Sequence, residues 1–309
     1  MDRIVVIANP AASQFTGGAH REVMSVLSRF ADVEAIWPGS AAETEDKARE
    51  AVANGVDGVV AMGGDGMVHH VSQGVVETES ALGIIPVGTT NVFARLLGIP
   101  SKPVKAARLI AQRPEPRSVG VAEMQLRRGA TETRHIAVFS CGFGLDAAVV
   151  READKDPYRK YRFGSLHYAS TAFGVGLKDF PKRKPHVVVS VEGKEALATT
   201  ALIQLRSIYT YFGKMALRLA PGYPEPMTVL TVGHLKRRRI PRITLTVLRR
   251  ADLKSVPGLD TWPGVEEMFV EAEPPVEAQA DGESLGMVDG GSVRWLPDSL
   301  KVVAPQVSP

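Results

Sequence analysis

Cysteine is almost absent from this sequence, and long hydrophobic runs are absent altogether. The 309 residues include one cysteine, Cys141, so an internal disulfide bond is excluded. No apolar run reaches the roughly 18–20 residues that a bilayer-spanning helix needs. Met1–Arg3 lead directly into a predicted strand rather than into a signal peptide. We therefore expect a folded cytoplasmic protein in which Cys141 is a small core residue.

Aromatic residues are also scarce, at 6%, and neither sign of charge dominates, because the formal net charge is only +3. Hydrophobic residues make up 44% and charged residues 23%, which is ordinary for a globular protein. The chain is long enough for two domains with separate cores. Basic residues nevertheless cluster, with eight between 234 and 254 against the single acid Asp252, and five more between 151 and 162. Nucleic acid is not an expected partner, because no aromatic side chains interleave with the first basic run.

Up to about residue 118, short apolar strands alternate with helical patterns. The predicted strands are Ile4–Ala8, Val33–Trp37, Val59–Met62 and Leu82–Val87, and the predicted helices cover Ala19–Phe30, Glu43–Ala53 and Val104–Gln112. Such alternation predicts an α/β domain, Rossmann-like, with a parallel sheet flanked by helices. Ligands bind sheets of this kind at the carboxyl ends of the strands.

After residue 118 the pattern changes to extended segments. The predicted strands are Ile136–Phe139, His186–Glu192, Leu197–Leu205, Met227–Val232, Ile243–Leu248 and Met268–Glu271. This half is predicted to be mainly antiparallel β. The prolines of Arg113–Arg117 end the last helix of the first half. We therefore expect an N-terminal domain over 1–118, a β-rich domain over 119–295, and a closing segment over 296–309 that returns to the N-terminal domain.

One turn combines three glycines with a carboxylate. The strand ending at Met62 runs into Gly63, Gly64, Asp65 and Gly66, and an amphipathic helix follows. Glycines let the backbone approach a phosphate chain, and the N–H groups at the start of the helix attract an anion. A Gly-Gly-Asp-Gly turn taken alone fits a tight strand-to-helix connection equally well.

Further segments at well-separated positions resemble one family, the diacylglycerol kinase catalytic-domain family, which includes bacterial lipid kinases and sphingosine kinases. The segments that carry the resemblance are the glycine turn, Pro86–Pro100, Ile4–Pro10 with its Asn9-Pro10 turn, Gln279–Glu283 and Leu296–Pro305, with weaker similarity at Gly142–Ala147, Phe163–Tyr168 and Ala220-Pro221. Their order and spacing cover nearly the whole chain.

The resemblance implies an ATP-dependent lipid kinase whose nucleotide site lies in the cleft between the domains. It would transfer the γ-phosphate of ATP, bound with Mg²⁺, to a hydroxyl of a diacylglycerol-like or sphingoid lipid. The residues implied in nucleotide binding are Asn9, Pro10, Ser13, Gly63, Gly64, Asp65, Gly66, His69, Gly88, Thr89 and Asn91. Thr89 and Asn91 also suit the cap of the helix that follows them.

A lipid substrate implies contact with a membrane surface. The basic run at 236–254 suits an anionic membrane as well as it suits a solvated protein face. We expect peripheral association with the membrane, and a homodimer is left open.

Three acids are candidates for catalysis. By the resemblance, Glu283 is the base that takes the proton of the acceptor hydroxyl, and Asp281 orients Glu283 or engages Mg²⁺. Asp65 is a competing candidate for the base. The Asp-Gly-Glu tripeptide alone would also fit a solvated hairpin turn.

The sequence departs from the family pattern at three places. His69-His70 replaces the usual Asn-Glu, and Asn91-Val92 replaces Asn-Asp. Tyr223–Met227 stands where bacterial relatives carry an Asp-Asp-Gly that helps to hold a structural Mg²⁺, so no metal bound by protein ligands alone is expected. Two alternatives stay open: a kinase of a soluble acceptor such as NAD, and a nucleotide-binding protein that has lost turnover. The Gly88–Arg95 and Asp281–Glu283 segments argue against NAD, and the retained acids argue for turnover.

Overall fold

The computed structural model describes residues 1–144, 184–208, 226–234 and 258–306, with the backbone of two short strands at 210–212 and 215–217. The chain forms two compact units. Unit 1 comprises Met1–Val121 with Pro297–Pro309, and unit 2 comprises Ala122–Leu296. The sequence predicts domain limits at 118 and 295.

Unit 1 is an α/β domain around a parallel sheet, as the alternating pattern predicted. Its elements are β1 (Arg3–Ala8), α1 (Gly17–Leu27), β2 (Asp32–Ile36), α2 (Ala41–Ala53), β3 (Gly58–Gly63), α3 (Asp65–Val75), β4 (Ala81–Pro86), α4 (Val92–Leu96) and α5 (Pro103–Ala111). The strand order is β2-β1-β3-β4. Strand β16 (Glu283–Val302) ends beside β4, where Val302 pairs with Leu82 in parallel register.

The interior of unit 1 follows from its apolar strands, since β3 and β4 are buried along their whole length. Helix α1 packs on α5, and α2 packs on α3. Each of the first two helices begins at a hydroxyl cap: Thr16 accepts from the Ala19 N–H at 3.1 Å, and Ser40 accepts from the Glu43 N–H at 3.1 Å.

The path of the chain creates a switch point in this sheet. From β1 the chain moves outward to β2, and from β3 it moves to β4 on the opposite side. Right-handed crossovers then place α1 on one face and α3 on the other. The loops that leave β1 and β3 therefore diverge at the carboxyl ends of two adjacent strands, where α/β sheets bind ligands.

Unit 2 is mainly antiparallel β, as the sequence predicted. Its strands are β5 (Arg117–Arg128), β6 (Thr131–Ala137), β7 (Ser140–Phe143), β8 (Val187–Val191), β9 (Lys194–Ala198), β10 (Thr200–Gln204), β11 (Thr210–Phe212), β12 (Met215–Leu217), β13 (Thr228–Val232), β14 (Leu259–Pro263), β15 (Glu267–Ala280) and the first part of β16. The order β14-β13-β10-β7-β15-β16 forms the main path, β8 and β9 extend from β15, and β5 pairs with β16 and β6. Cys141 is a fully buried core residue, as predicted.

Several predicted strands differ from the observed ones. Ile136–Phe139 spans the break between β6 and β7, and Leu197–Leu205 is divided into β9 and β10 at Thr199. Thr199 directs both its N–H and its hydroxyl to the Val232 carbonyl, each at 2.8 Å, which bends the chain there. The predicted strand Ile243–Leu248 lies outside the described residues. Within the part of the chain that the structure describes, no helix is long and apolar enough to cross a membrane.

Candidate functional site

The loop after β1 crosses the end of β3 and reaches β4. The Asn9 N–H donates to the Met62 carbonyl at 3.0 Å, and the Asn9 Oδ1 accepts from the Ala11 N–H at 2.9 Å, which closes a tight turn around the exposed Pro10. The Gln14 N–H then donates to the Val87 carbonyl at 2.8 Å. Three predicted segments of the site therefore meet at one edge of the sheet.

Two hydroxyl groups join the same loops. The Ser13 Oγ and the Thr89 Oγ1 share a hydrogen bond of 2.9 Å, although they are 76 residues apart in sequence. Thr89 is exposed and Ser13 is half-buried, so each hydroxyl borders the loop surface and retains hydrogen-bonding capacity for a ligand.

Contacts within the protein require glycine at two of the three positions Gly63, Gly64 and Gly88, but not at the third. A Cβ on Gly63 would overlap the Met67 side chain, and a Cβ on Gly88 would lie 2.5 Å from the Gly64 Cα and 2.8 Å from the Asn91 Oδ1. Packing within the protein therefore excludes side chains at both positions. A Cβ on Gly64 would meet only the Gly88 Cα, at an ordinary 3.4 Å, and the φ of Gly64 is −93°. No contact or strain among the described residues requires glycine at 64.

Asn91 shapes the second loop with its side chain. Its Nδ2 donates to the Gly88 carbonyl at 2.8 Å, and its Oδ1 accepts from the Gly88 N–H at 3.1 Å. Its backbone is left-handed, with φ 48°, a conformation that asparagine tolerates better than most residues. Asn91 is the cap position of α4, as the sequence predicted, but its side chain makes no capping hydrogen bond there.

Asp65 supplies the cap that Asn91 does not make. The Phe93 N–H, in the first turn of α4, donates to the Asp65 Oδ1 at 3.2 Å. Asp65 is itself the first residue of α3 and is half-buried. One carboxylate therefore connects the glycine turn to the helix that follows Gly88. The sequence contained no signal for this bond, because 28 residues separate the partners.

The two adjacent histidines of α3 have different surroundings. His69 is 1% exposed, and the Gln73 Nε2 donates to its carbonyl at 3.1 Å. Its assignment to the nucleotide stays a prediction. The His70 Nδ1 lies 3.0 Å from the Glu45 Oε1 of α2. Burial raises the pKa of the Glu45 carboxyl, but hydrogen bonds and charges of His70 and Arg49 outweigh burial and lower this pKa below its usual value.

Asp281, in unit 2, is a buried anchor for the backbone. Its side chain is 3% exposed, and its oxygens accept from three consecutive N–H groups: Val138 at 2.9 and 3.0 Å, Phe139 at 2.9 Å and Ser140 at 3.2 Å. The Asp281 N–H donates to the Ser140 carbonyl at 2.8 Å. These bonds fix the segment between β6 and β7 and explain why the two strands are separate.

Glu283 follows directly in the same hairpin. Asp281 and Gly282 form its two-residue loop, with φ values of 53° and 82°, the signature of a type I′ turn. The Gln279 Oε1 accepts from the Gly282 N–H at 3.0 Å. The hairpin turn exists, but Asp281 is not solvated in it. Glu283 is half-buried, and among the described residues its carboxylate has no hydrogen-bond partner.

The structure thus brings the candidate residues of unit 1 to one sheet edge, with Gly66 in the first turn of α3, and places Asp281 and Glu283 on one hairpin of unit 2. Within the described ranges, no group of three or more His, Cys, Asp or Glu side chains is placed to hold a metal ion. Residues 145–147, 163–168, 220–225 and both basic groups, at 151–162 and 236–254, lie outside the described residues.

The fold is an α/β domain whose candidate residues lie in loops at the carboxyl ends of a parallel sheet, followed in the chain by an antiparallel β unit. Residues 3–124 match the family model described as the diacylglycerol kinase catalytic domain. The resemblance to this family that the motifs carry is therefore confirmed for residues 3–124.

Relatives and solved structures are similar to larger or smaller parts of the chain. A diacylglycerol kinase of Mycobacterium tuberculosis is 26% identical over 310 residues, which cover 98% of this chain and 96% of the relative. A Pseudomonas putida protein named "Probable lipid kinase YegS-like" is 37% identical over 97 residues, 31% of this chain and 32% of that protein. A crystal structure of a diacylglycerol kinase from Bacillus anthracis superposes with a TM-score of 0.73 at 19% identity, covering 98% of this chain and 97% of that one. The structural likeness confirms the fold.

Proposed function

We propose that this protein is an ATP-dependent lipid kinase that transfers the γ-phosphate to a hydroxyl of a diacylglycerol-like or sphingoid lipid. The family match over residues 3–124 supports a kinase. The name of the full-length relative from M. tuberculosis supports a lipid acceptor of the diacylglycerol type.

The observation that carries the nucleotide proposal is the difference between Gly64 and its neighbours. Gly63 and Gly88 are required by contacts within the protein, whereas a Cβ on Gly64 would meet only an ordinary contact. Gly64 lies at the switch point of the sheet, directly before the 11-residue helix α3. Backbone N–H groups and the helix dipole favour an anion at such a place. A phosphate chain over Gly64 accounts for the missing side chain.

The residues around Gly64 fit the phosphates of ATP. The Ser13 and Thr89 hydroxyls lie on the two loops that follow β1 and β4, and together with Gly64 they form what we call the phosphate cradle. Asp65 holds the loop after β4 through the Phe93 N–H. When bound with the nucleotide, Mg²⁺ would neutralise charge on the phosphates. Asp65 is the carboxylate of this edge that would face such an ion.

Glu283 is the base in this proposal. The lipid hydroxyl oxygen forms a bond to the γ-phosphorus while the bond from that phosphorus to the β-phosphate oxygen breaks, and ADP leaves. The hydroxyl proton passes to the Glu283 carboxylate. Glu283 suits this role better than Asp281, because both oxygens of Asp281 already accept backbone N–H groups. Asp65 is less suited, because its Oδ1 accepts the Phe93 N–H.

A lipid acceptor requires contact with a membrane surface, and the sequence offers the basic run at 236–254 for it. Electrostatic binding of this kind weakens as salt shortens the screening length from about 10 Å at 0.1 M to about 3 Å at 1 M. We expect R237Q/R238Q/R239Q to weaken sedimentation with anionic vesicles and to leave activity on detergent-dispersed lipid nearly unchanged. Equal binding of the variant and the parent protein would exclude the run as the contact.

An acceptor panel tests the proposed function. ATP consumption is measured with diacylglycerol vesicles, with sphingosine vesicles, with NAD and with no acceptor. We expect consumption with one of the lipids and none with NAD. Consumption with NAD alone would identify a kinase of a soluble acceptor, and no consumption with any acceptor would identify a nucleotide-binding protein without turnover.

Glu283→Gln is the companion variant, and Glu267→Gln, on the exposed face of β15, is its matched control. Removing a general base typically costs about 10²–10⁴-fold in rate with little loss of ground-state binding. We expect Glu283→Gln to bind ATP normally and turn over at least 100-fold more slowly by that estimate, and Glu267→Gln to behave like the parent. Near-normal turnover by Glu283→Gln would remove it from the base role.

A further inference from the structure

Three rings converge beside the switch point of unit 1, although aromatic residues are scarce in this chain. Phe15 lies in the loop after β1, His20 lies in the first turns of α1, and Trp37 directly follows β2. The Trp37 and His20 ring centroids are 4.5 Å apart, and the Phe15 ring meets Trp37 edge-on at 5.8 Å and 85°. None of these three residues is among those proposed for phosphate binding or catalysis.

Strand register places Trp37 on the same edge as the phosphate cradle. Ile36 pairs with Ile7, so Trp37 stands opposite Ala8, and Ala8 in turn pairs with Met62, the residue before Gly63. Adjacent strands lie about 4.8 Å apart, so two strand spacings, about 10 Å, separate Trp37 from the start of the glycine turn. The ribose and phosphates of a nucleotide bridge a distance of this order.

Trp37 is held in place and yet accessible. Its side chain is 46% exposed, while Phe15 and His20 are half-buried behind it. Burial lowers the pKa of His20, which favours the uncharged form of the ring that supports Trp37. A large ring that is fixed before the ligand arrives loses little conformational entropy on binding.

We propose that Trp37, supported by Phe15 and His20, is the platform on which the base of the bound nucleotide stacks. This inference rests on the proposed function, which supplies a nucleotide as the ligand. The purine base of ATP is the occupant, because the phosphates at the glycine turn and the ribose together span about the 10 Å, two strand spacings, that separate this turn from Trp37. Base–aromatic stacks are worth about 1–3 kcal/mol per base.

The test compares ATP with inorganic tripolyphosphate, which carries the phosphates and no base. Isothermal titration calorimetry, with Mg²⁺ present, gives Kd for each ligand with the parent protein, Trp37→Ala and Trp37→Phe. Phe30→Ala is the matched control, because Phe30 is also an exposed aromatic residue of unit 1, at 53%, and it lies after the C-terminal end of α1, at the opposite edge of the sheet.

We expect the parent protein to bind ATP more tightly than tripolyphosphate. Trp37→Ala should raise the Kd for ATP roughly 5- to 150-fold, the range that loss of one stack gives, and leave the Kd for tripolyphosphate unchanged. Trp37→Phe should keep most of the ATP affinity, and Phe30→Ala should match the parent protein for both ligands.

Fluorescence supplies an independent readout. The chain has three tryptophans, and Trp262 and Trp295 pack against the core of unit 2. ATP should therefore change the emission of the parent protein, tripolyphosphate should not, and Trp37→Phe should abolish the change while ATP still binds.

Two results would overturn the inference in distinguishable ways. If ATP and tripolyphosphate bind alike, and Trp37→Ala changes neither Kd, the base does not stack on Trp37 and the proposed phosphate site stands. If the folded parent protein binds neither ligand, the proposed nucleotide function fails together with the platform.

Discussion

At the scale of single residues, Gly64 is the most sensitive test of the phosphate cradle. Gly64→Ala adds one Cβ, which the protein accommodates at 3.4 Å from the Gly88 Cα. The added methyl group occupies the volume that we assign to phosphate. We expect an unchanged melting temperature and an ATP affinity lowered roughly tenfold or more, measured by calorimetry.

Gly88→Ala is the contrasting variant. Its Cβ would lie 2.5 Å from the Gly64 Cα, so the backbone must shift, and we expect a lower melting temperature even without nucleotide. Full ATP affinity in a folded Gly64→Ala protein would place the nucleotide elsewhere.

Asp65→Asn separates an organising role from a catalytic one. The amide oxygen still faces the Phe93 N–H, but a neutral acceptor is about half as strong as a carboxylate. We expect the second loop to loosen, so that the Kd for ATP rises by roughly tenfold and turnover falls with it. Binding and rate are measured on the same preparation. A large loss of kcat with unchanged ATP affinity would instead make Asp65 the base.

The sequence predicted which residues of unit 1 belong to the candidate site but not the hydrogen bonds that they form. Asn9, Gly63, Gly64 and Gly88 were found because glycines and strand ends leave a local pattern. The hydrogen bond from Phe93 to Asp65 left none, because it depends on how two loops meet in three dimensions. The hydrogen bonds of the Asn91 side chain to Gly88, three residues earlier in the same loop, were not predicted either.

At the scale of elements, Asp281 couples the β15–β16 hairpin to the segment between β6 and β7. Asp281→Ala would leave three buried N–H groups without their acceptor, at about 1–3 kcal/mol each. We expect the free energy of unfolding, measured by urea denaturation, to fall by about 3 kcal/mol or more.

Two controls isolate that effect. In Asp281→Asn the new asparagine tolerates the left-handed backbone at φ 53°. Any stability that this variant loses therefore comes from weaker hydrogen bonding and not from backbone strain, which Asp281→Ala would add. Ser284→Ala, at an exposed position of the same hairpin, should change stability by less than about 0.5 kcal/mol. An Asp281→Ala protein as stable as the parent would contradict the anchoring role.

The stability that the contact between α2 and α3 contributes should depend on pH. The pKa of Glu45 in the folded protein lies below its ordinary value of 4.5, so the unfolded chain takes up the proton first as the pH falls. The stability that Glu45 contributes is therefore complete above about pH 4.5 and is lost as the pH falls through its lowered pKa. Urea unfolding across this range should show a shallower pH dependence for Glu45→Gln. Identical slopes would mean that the interactions of Glu45 with His70 and Arg49 do not stabilise the fold.

Element prediction succeeded where the local pattern was strong. The four strands of the parallel sheet and their helices follow from continuous apolar runs and regular helical faces. Unit 2 was harder, since β15 and β16 contain prolines, glycines and two shifts of register that interrupt the alternating pattern. The split of Leu197–Leu205 depends on the pairing of Thr199 with Val232, which no local pattern reveals.

At the level of the whole molecule, the segment Pro297–Pro309 belongs to unit 1, the unit that also contains Met1–Val121. After unit 2, the last part of β16 joins the parallel sheet beside β4, and Leu300, Val302 and Ala304 are fully buried there. The sequence predicted this closing segment only through the family resemblance. Its role depends on contacts with residues more than 200 positions away, such as Val302 with Leu82.

A lipid kinase passes the γ-phosphoryl group of ATP to a lipid hydroxyl. This transfer is followed with ATP labelled with ¹⁸O on the three terminal oxygens of its γ-phosphate, diacylglycerol vesicles and mass spectrometry of the extracted lipids. We expect a lipid phosphate that carries all three labelled oxygens with the parent protein, and almost none with Glu283→Gln. Label found only in inorganic phosphate, or no lipid phosphate with diacylglycerol or sphingosine, would contradict the proposed function.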